Sequence, residues 1–238
     1  MTKTKRTLVG VGAAATLGAH FALASKVHGV SVVALFGATG GTGRRVLTRL
    51  VAAGHGVRVL VRDPARLPAV DGAVVVVGDV LDPAAVGETV AGSQTVISVV
   101  GQVKGSPPTL QTDGTRLIVE AMHRHGVSRL ITLSGGGLRA EQDRPQLPDR
   151  IIRGLLRLLA GHVLADAEGH LTVLQGSGLD WTVVRGPRLT DDPGLGRYRV
   201  GWVGVDASTK IARDDLADFI VTQLDDQRFI RRMPFVSH

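Results

Sequence analysis

Gly37-Ala38-Thr39-Gly40-Gly41-Thr42-Gly43 decides the fold of this chain, because the segments on both sides of it agree with it. An apolar, β-branched run, residues 30–36, comes before it and predicts a buried strand. Apolar residues at helical spacing follow it as far as Gly54: Val46, Leu47, Leu50 and Val51. A strand, a glycine turn and a helix together form a phosphate cradle, since the free amides at the helix N-terminus face the anion.

Three glycines of the stretch have distinct roles in such a cradle. Gly37 allows the tight turn, Gly40 lets a pyrophosphate approach the backbone, and Gly43 lets the helix pack closely on the strand. The alternative is a glycine turn with a purely structural role. We predict dinucleotide binding, with these residues as candidate contacts: Gly37, Thr39, Gly40, Gly41, Thr42 and Gly43.

The composition fits an α/β protein with small-molecule ligands. The 238 residues suffice for one large domain, and with 44% hydrophobic but only 3% aromatic residues the core must be aliphatic. There is no cysteine, and neither His123 with His125 nor His162 with His170 shares a helical face, so we expect surface histidines and no metal site. The net charge is +7, but the basic residues form no block and have no interleaved aromatics, so no nucleic acid partner is expected.

Strand and helix signals alternate along the rest of the chain. The alternation predicts right-handed crossovers and an α/β fold, a Rossmann-type doubly wound parallel sheet, in a single domain of residues 30–238. Further strands are predicted at 57–61, 74–77, 95–100, 130–133 and 181–184, and helices at 83–90, 112–125 and 166–174. The polar loop 139–148 is expected to be a mobile flap at the carboxyl edge of the sheet.

Residues 1–29 form an apolar N-terminal extension that differs from the rest. Lys3, Lys5 and Arg6 precede an apolar run, residues 8–24, which is short for a membrane span. The extension fits a signal peptide, an uncleaved anchor or a dispensable segment. Because reduced nicotinamide is supplied in the cytosol, we expect a cytoplasmic protein, with membrane association through residues 1–29 left open.

The ligand site of a doubly wound sheet lies at the carboxyl ends of its strands, so the residues after each strand are candidate contacts. Arg62 ends the second strand, where a guanidinium can bind a 2′-phosphate through paired hydrogen bonds, and it therefore favours NADP(H) over NAD(H). The alternative is a solvated surface arginine, the interpretation that we favour for Arg45 and Arg66. Asp79 and Val80 follow the third strand and are expected at the adenine, and Gly101 follows the fourth, where a side chain would crowd the cofactor. Ser134 follows the fifth strand and is expected at the nicotinamide. Pro187 and Arg188 follow the sixth and are expected on the far side of the nicotinamide ring.

Three segments, residues 36–43, 59–63 and 77–81, resemble the atypical short-chain dehydrogenase/reductases. Within that group the chain is most similar to flavin reductases, also called biliverdin-IXβ reductases, and residues 177–179, 194–199, 214–217 and 234–238 are similar to their later segments. The resemblance covers the chain from Val30 onwards. It implies NADPH binding, with Ser134 near the nicotinamide, by Gly37, Thr39, Gly40, Thr42, Arg62, Asp79 and Val80.

The chain departs from that group at two places. Flavin reductases carry Pro-Pro-His after the sixth strand, whereas this chain has Gly186-Pro187-Arg188. Arg188 cannot give up a proton near neutral pH, but it can anchor an anionic substrate group. The Tyr/Lys pair of ordinary short-chain dehydrogenases is also missing, because Tyr198, the only tyrosine, has Trp202 four residues later. A conjugated ring that accepts hydride at a ring atom does not need a tyrosine acid.

We therefore predict an enzyme, an NADPH-dependent reductase that passes hydride to a planar conjugated acceptor such as a flavin, quinone or tetrapyrrole. Ser134 and Arg188 are its candidate catalytic residues. The alternative is a non-catalytic NADP sensor of the nitrogen-regulation repressor-like type, and an assembly factor tethered by the N-terminal segment is a third hypothesis.

Two further features have ordinary explanations. Asp166 and Glu168 are two residues apart on a predicted helix and point in different directions, so we expect both at the surface. Residues 151–159, with their arginines, resemble a membrane-surface helix, although their leucines equally fit a cap over a substrate pocket or core packing.

Overall fold

A largely parallel sheet with helices on both faces forms the protein. The structure is a computed structural model that describes residues 29–68, 72–205 and 207–238. The strands are β1 (Val32–Phe36), β2 (Gly56–Val61), β3 (Ala73–Val77), β4 (Thr95–Ser98), β5 (Arg129–Gly135), β6 (Asp180–Gly186), β7 (Arg188–Thr190), β8 (Arg199–Gly201), β9 (Lys210–Ala212) and β10 (Phe235–Ser237). The main sheet has the order β3-β2-β1-β4-β5-β6-β10-β8, in which only β8 is antiparallel, and β7 pairs with β9 separately. This order is that of doubly wound dinucleotide-binding sheets, so the predicted fold class is confirmed.

Helices cover both faces of this sheet. They are α1 (Gly41–Ala52), α2 (Pro83–Val90), α3 (Leu110–His125), α4 (Leu147–Leu159), α5 (Gly161–Gly176) and α6 (Arg213–Thr222), and Pro64–Arg66 forms a short 3₁₀ helix. The helices α1 and α6 contact each other on one face, α2, α3 and α5 pack on the other, and α4 packs against α5. Each face has its own aliphatic core, as the low aromatic content predicts.

The apolar face of α1 fixes the position of the glycine turn. Val46, Leu47 and Leu50 are completely buried, and burial of each such side chain contributes about 1.5–3 kcal/mol. Gly54 follows the helix with a φ of +83°, and its amide donates to the Val51 carbonyl over 2.9 Å. A left-handed residue ends the helix here, so the N-terminus of α1 stays at the carboxyl edge of β1.

Several predicted boundaries change in the structure. The first strand begins at Val32, and β5 extends to Gly135, so Ser134 lies inside a strand instead of after it. The strands β7 to β10 and helix α6 have no counterpart among the sequence predictions. Of the predicted extension only Gly29 is described, and its three interpretations lie outside the described residues. No helix within the described ranges combines the length and hydrophobicity needed to cross a bilayer.

The prediction of a free flap at 139–148 is wrong in its main feature, because the loop is pinned to the sheet. The side chain of Asp143 is 4% exposed and forms a salt bridge with the fully buried Arg185 of β6, over 2.8 Å. The Arg144 amide also donates to the Val203 carbonyl over 2.8 Å. Residues 147 and 148 already belong to α4.

Candidate functional site

The glycine turn has the geometry that a pyrophosphate cradle requires. Gly37 has a φ of +87°, and a Cβ atom on it would lie 2.9 Å from the Val99 carbonyl. A Cβ atom on Gly43 would lie 2.0 Å from the Gly37 oxygen, so α1 can pack here only through a glycine. A Cβ atom on Gly40 would meet nothing closer than 3.4 Å, and Gly40 is exposed. Protein packing therefore explains the first and third glycines, whereas Gly40 faces open space.

Two arginines hold the edges of this cradle. Arg44 donates from Nε to the Thr39 carbonyl over 3.0 Å and from Nη2 to the Arg66 carbonyl over 2.7 Å. A Cβ atom on Gly41 would lie 3.0 Å from the Arg213 side chain. Thr42 is buried in the first turn of α1. Arg44 thus ties the glycine turn to the segment after β2, and Arg213 lies close to Gly41.

Arg62 stands at the end of β2 with its side chain 68% exposed. Its Nε lies 3.9 Å from Oδ2 of Asp79, which is a weak pairing in solvent. Asp63, the acidic residue next to it, accepts from the Ala65 amide over 3.0 Å and so caps the 3₁₀ helix. Arg45, in contrast, lies 3.4 Å from each of two carboxylates. Arg62 is therefore exposed with only a weak partner, whereas Arg45 is held by two carboxylates.

The ends of β3 and β4 meet this corner of the sheet. Asp79 accepts from the Leu81 amide over 2.9 Å and fixes the turn that carries the half-buried Val80. A Cβ atom on Gly101 would have no protein atom within 4 Å. Packing of the described chain therefore does not require a glycine at that position, and the space beside it is open.

Ser134 has a buried hydroxyl that needs a partner. The residue is 5% exposed, and its Oγ has no hydrogen-bond partner among the described residues. A buried hydroxyl without a hydrogen bond costs about 1–3 kcal/mol. Beside it Gln111, which the sequence analysis missed, donates from Nε2 to the carbonyls of Val100 and Leu133 over 2.9 and 3.3 Å. Gln111 thus joins the ends of β4 and β5 next to Ser134.

The end of β6 lies directly beside the end of β5. Gly135 pairs with Gly186, which places the half-buried Pro187 and the exposed Arg188 next to the segment after Ser134. Residues 134–138 and 186–190 contain no side chain that titrates near neutral pH. Within these two segments Arg188 is the only charged side chain.

Comparison with known proteins shows the family of this chain. Residues 37–227 match the family described as NAD(P)H-binding. The chain belongs to the NAD(P)H-binding family. The predicted cofactor class is therefore confirmed, and the matched range begins at the first glycine of the cradle.

Solved structures of this NAD(P)H-binding type share the fold. A short-chain dehydrogenase/reductase from Veillonella parvula DSM 2008, in complex with NADP, has 18% identity and a TM-score of 0.72 over 87% of this chain and 94% of that one. ChuY, an anaerobillin reductase from Escherichia coli O157:H7, has 19% identity and a TM-score of 0.71 over 87% and 97%. These likenesses confirm the predicted resemblance to atypical short-chain dehydrogenase/reductases at the level of fold.

A curated relative is similar over part of its length. The 3-diazoavenalumate denitrifying reductase of a Streptomyces species is 35% identical over 129 residues, 49% of this chain. The matched part is 42% of that reductase, so the chain matches less than half of its relative.

The prediction that His170 and Asp166 are surface residues is wrong. His170 is 2% exposed, with Nδ1 2.7 Å from the Thr115 hydroxyl and Nε2 3.1 Å from that of Thr132. Burial lowers the pKa of His170 to about 4, against an opposing effect of Asp166, so the ring is neutral at pH 7. Asp166 is 3% exposed and accepts from the Gln111 amide over 2.9 Å. These α5 residues anchor the first turns of α3 and so position Gln111.

Tyr198 is held against helix α6. Its hydroxyl donates to Asp218 over 2.9 Å, and its ring packs edge-on against Phe219 of α6. Burial, with Asp218, raises the pKa of Tyr198 above its usual range. Within the described ranges, no group of three His, Cys, Asp or Glu side chains is arranged to hold a metal ion.

A cleft of about 370 Å³ opens beside the segment that follows β5. Gly136, Gly137 and Leu138 form one wall, and charged residues of α4 form another. Because Gly136 is only two residues after Ser134, the cleft begins where the nicotinamide of a bound cofactor is expected.

Proposed function

We propose that the protein is an NADPH-dependent reductase that passes a hydride to a planar conjugated acceptor, such as a flavin, quinone or tetrapyrrole. The observation that carries the proposal is a cleft that begins two residues after Ser134, whose buried hydroxyl has no partner among the described residues, at strand ends without a side chain that titrates near neutral pH. Such a site can hold a ring but offers no general acid. The names of two similar proteins, an anaerobillin reductase and a denitrifying reductase, support the same reaction class.

The cofactor residues then have defined tasks. The amides of residues 37–43 bind the pyrophosphate, Arg62 binds the 2′-phosphate, and Asp79 and Val80 border the adenine. Gly101 leaves room for the cofactor backbone. These assignments rest on the placement of the residues along one edge of the sheet.

The acceptor end has three residues with separate tasks. Ser134 donates its hydrogen bond to the nicotinamide or the acceptor, Pro187 closes the far side of the ring, and Arg188 binds an anionic substituent. NADPH supplies the hydride, and the reduced acceptor takes its balancing proton from solvent, because no described side chain at these strand ends holds one.

Anaerobic mixing tests the proposal. The purified protein is incubated with NADPH and, in separate reactions, flavins, quinones and tetrapyrroles, and loss of absorbance at the nicotinamide band is followed. At least one conjugated acceptor should be reduced with one NADPH consumed per two electrons. Tight NADPH binding without turnover on any acceptor would instead favour the NADP sensor, for which the absence of an acid at the strand ends is the supporting observation.

Arg62→Ala tests the choice of cofactor. The change should weaken NADPH binding by about 1.5–3 kcal/mol, the range of charge-assisted hydrogen bonds, and change NADH binding much less. Calorimetric titration of both cofactors measures this difference. Arg45→Ala is the matched control, because Arg45 is already paired with two carboxylates. Equal losses for NADPH and NADH would remove the 2′-phosphate assignment.

Ser134→Ala and Arg188→Ala should separate orientation from recognition. Loss of the Ser134 hydroxyl should reduce kcat about 10- to 100-fold, because the reacting rings lose their alignment. Loss of Arg188 should raise KM for an anionic acceptor and leave kcat nearly unchanged, as when uniform binding is removed. Steady-state kinetics on both variants measures the two effects, and a fall in kcat for Arg188→Ala alone would reverse the assignments.

A further inference from the structure

Helix α4 lines the cleft with charged residues, and its described apolar residues face solvent. Asp149, Arg150 and Arg157 of α4 line the cleft, together with Arg139 from the preceding loop. The described apolar side chains of the helix are 54–82% exposed: Leu147, Ile151, Leu155, Leu158 and Leu159. An amphipathic helix on a folded domain normally buries its apolar side. On α4 the charged residues, and not the described apolar ones, line the cleft.

Three of the cleft's arginines have no internal counter-charge. The guanidinium groups of Arg139, Arg150 and Arg157 form no salt bridge or hydrogen bond with any described residue. Asp143 is already neutralised by Arg185, and the Asp149 carboxylate accepts from the Gln146 amide at the start of α4. Three cations against one remaining acid give this concave surface an excess of two positive charges.

Solvated surface arginines are the simplest alternative. All three arginines are exposed, but they line one concave surface instead of standing apart on the outer side of α4. Like charges gathered in one concavity focus the potential and attract anions. Guanidinium groups also match carboxylate and phosphate geometry through paired hydrogen bonds.

We propose that this cleft is an anion subsite for the acceptor, in which Arg139, Arg150 and Arg157 bind its carboxylate or phosphate groups. The inference rests on the proposed reductase function. The acceptor ring lies against Ser134, and its anionic arm extends past residues 136–138 under α4. Acceptors of this site are therefore conjugated rings with acidic substituents, and uncharged quinones are poor substrates.

Matched ligands that differ only in charge test the subsite. FMN and riboflavin share one ring and differ by a phosphate, and a linear tetrapyrrole dicarboxylate and its dimethyl ester differ by two carboxylates. In the presence of NADP⁺, the protein should bind the anionic member of at least one pair about tenfold or more tightly. Preference within the first pair identifies a phosphate ligand, and preference within the second a carboxylate ligand.

The double variant Arg150→Gln, Arg157→Gln should abolish that preference and leave NADPH affinity unchanged. Arg124→Gln is the control, because Arg124 lies in the last turn of α3, near the opposite edge of the sheet where β5 begins. It should retain the full preference. Thermal unfolding of each variant checks that the fold is intact.

The outcomes distinguish the two proposals. Equal affinity within both pairs, or a preference that survives the double variant, overturns the anion subsite even if NADPH is oxidised. If an anionic ligand binds through the arginines but no acceptor is reduced, the proposal of an anion subsite stands and the proposed reductase function is overturned. Salt should weaken only the anionic member of a pair, since the interaction is electrostatic.

Discussion

Arg185→Met should lower the free energy of unfolding by about 3–5 kcal/mol, because it leaves the carboxylate of Asp143 buried without its partner. The Arg185 side chain is 0% exposed, and its two terminal nitrogens donate to the two oxygens of Asp143, each over 2.8 Å. It also donates to the carbonyls of Leu138 and Met233 over 2.7 and 2.9 Å. Chemical denaturation at pH 7 measures the loss.

An ion pair whose arginine is exposed supplies the control. Arg228, whose side chain is 80% exposed, lies 2.7 Å from Asp226, and Arg228→Met should cost much less stability than Arg185→Met because solvent screens the pair. Adding Asp143→Leu to Arg185→Met should recover part of the stability, since no lone charge remains buried. If Arg185→Met cost no more than Arg228→Met, the buried pair would not be what holds the loop.

The same pair gives stability a defined pH dependence. Burial raises the pKa of Asp143, but the hydrogen bonds from Arg185 and from the Ala140 and Val203 amides lower it more, so its pKa in the folded protein is below the usual value. A carboxyl whose pKa is lower in the folded than in the unfolded protein stabilises the fold while it is ionised. Its contribution to the free energy of unfolding is complete above its unfolded pKa of about 4. That contribution is lost as the pH falls through the folded pKa.

The buried pair also bears on function, because it sets the shape of the acceptor cleft. Arg185 fixes the Leu138 carbonyl in one wall, and Asp143 lies in another. Arg139 stands between these two anchored positions. A loop held in this way can present its arginine to an anionic ligand without ordering a flexible segment at each binding event, which would reduce affinity.

The sequence was sufficient where the decisive interactions are local. The glycine stretch, the strand before it and the helix after it lie within residues 30–54, and together they predict the cradle and the fold class. Helix α2 (Pro83–Val90) is likewise predicted at its observed bounds, since Pro83 follows a capping Asp82.

The predictions failed where burial depends on residues far apart in sequence. Asp166 was assigned to the surface from its spacing to Glu168, but its partners are amides of α3, more than 50 residues away. Arg185 follows directly after the apolar residues of β6, and a charge there was the available signal for a buried ion pair. Its partner, Asp143, lies 42 positions earlier in a polar loop, and no local pattern connects the two.

Gly43→Ala should abolish cofactor binding and also destabilise the fold, whereas Gly40→Ala should affect binding alone. The Cβ atom at position 43 would stand 2.0 Å from the Gly37 oxygen, so the turn or the helix must move. Such overpacking costs about 1–3 kcal/mol, and a displaced turn should weaken NADPH binding about 100-fold or more. At position 40 the backbone has a φ of −75° and the nearest atom is at 3.4 Å, so alanine fits the protein.

Comparison of the two variants separates packing from ligand approach. Gly40→Ala should keep the stability within about 0.5 kcal/mol, typical of an exposed site, yet weaken NADPH binding because the added methyl group occupies the space of the pyrophosphate. Equilibrium unfolding gives the stability of each variant, and NADPH titration gives its cofactor affinity. Unchanged NADPH affinity in Gly40→Ala would mean that the pyrophosphate does not approach this glycine. Equal losses of stability in both variants would mean that Gly40 is also a packing residue, and the division of roles among the three glycines would then be wrong.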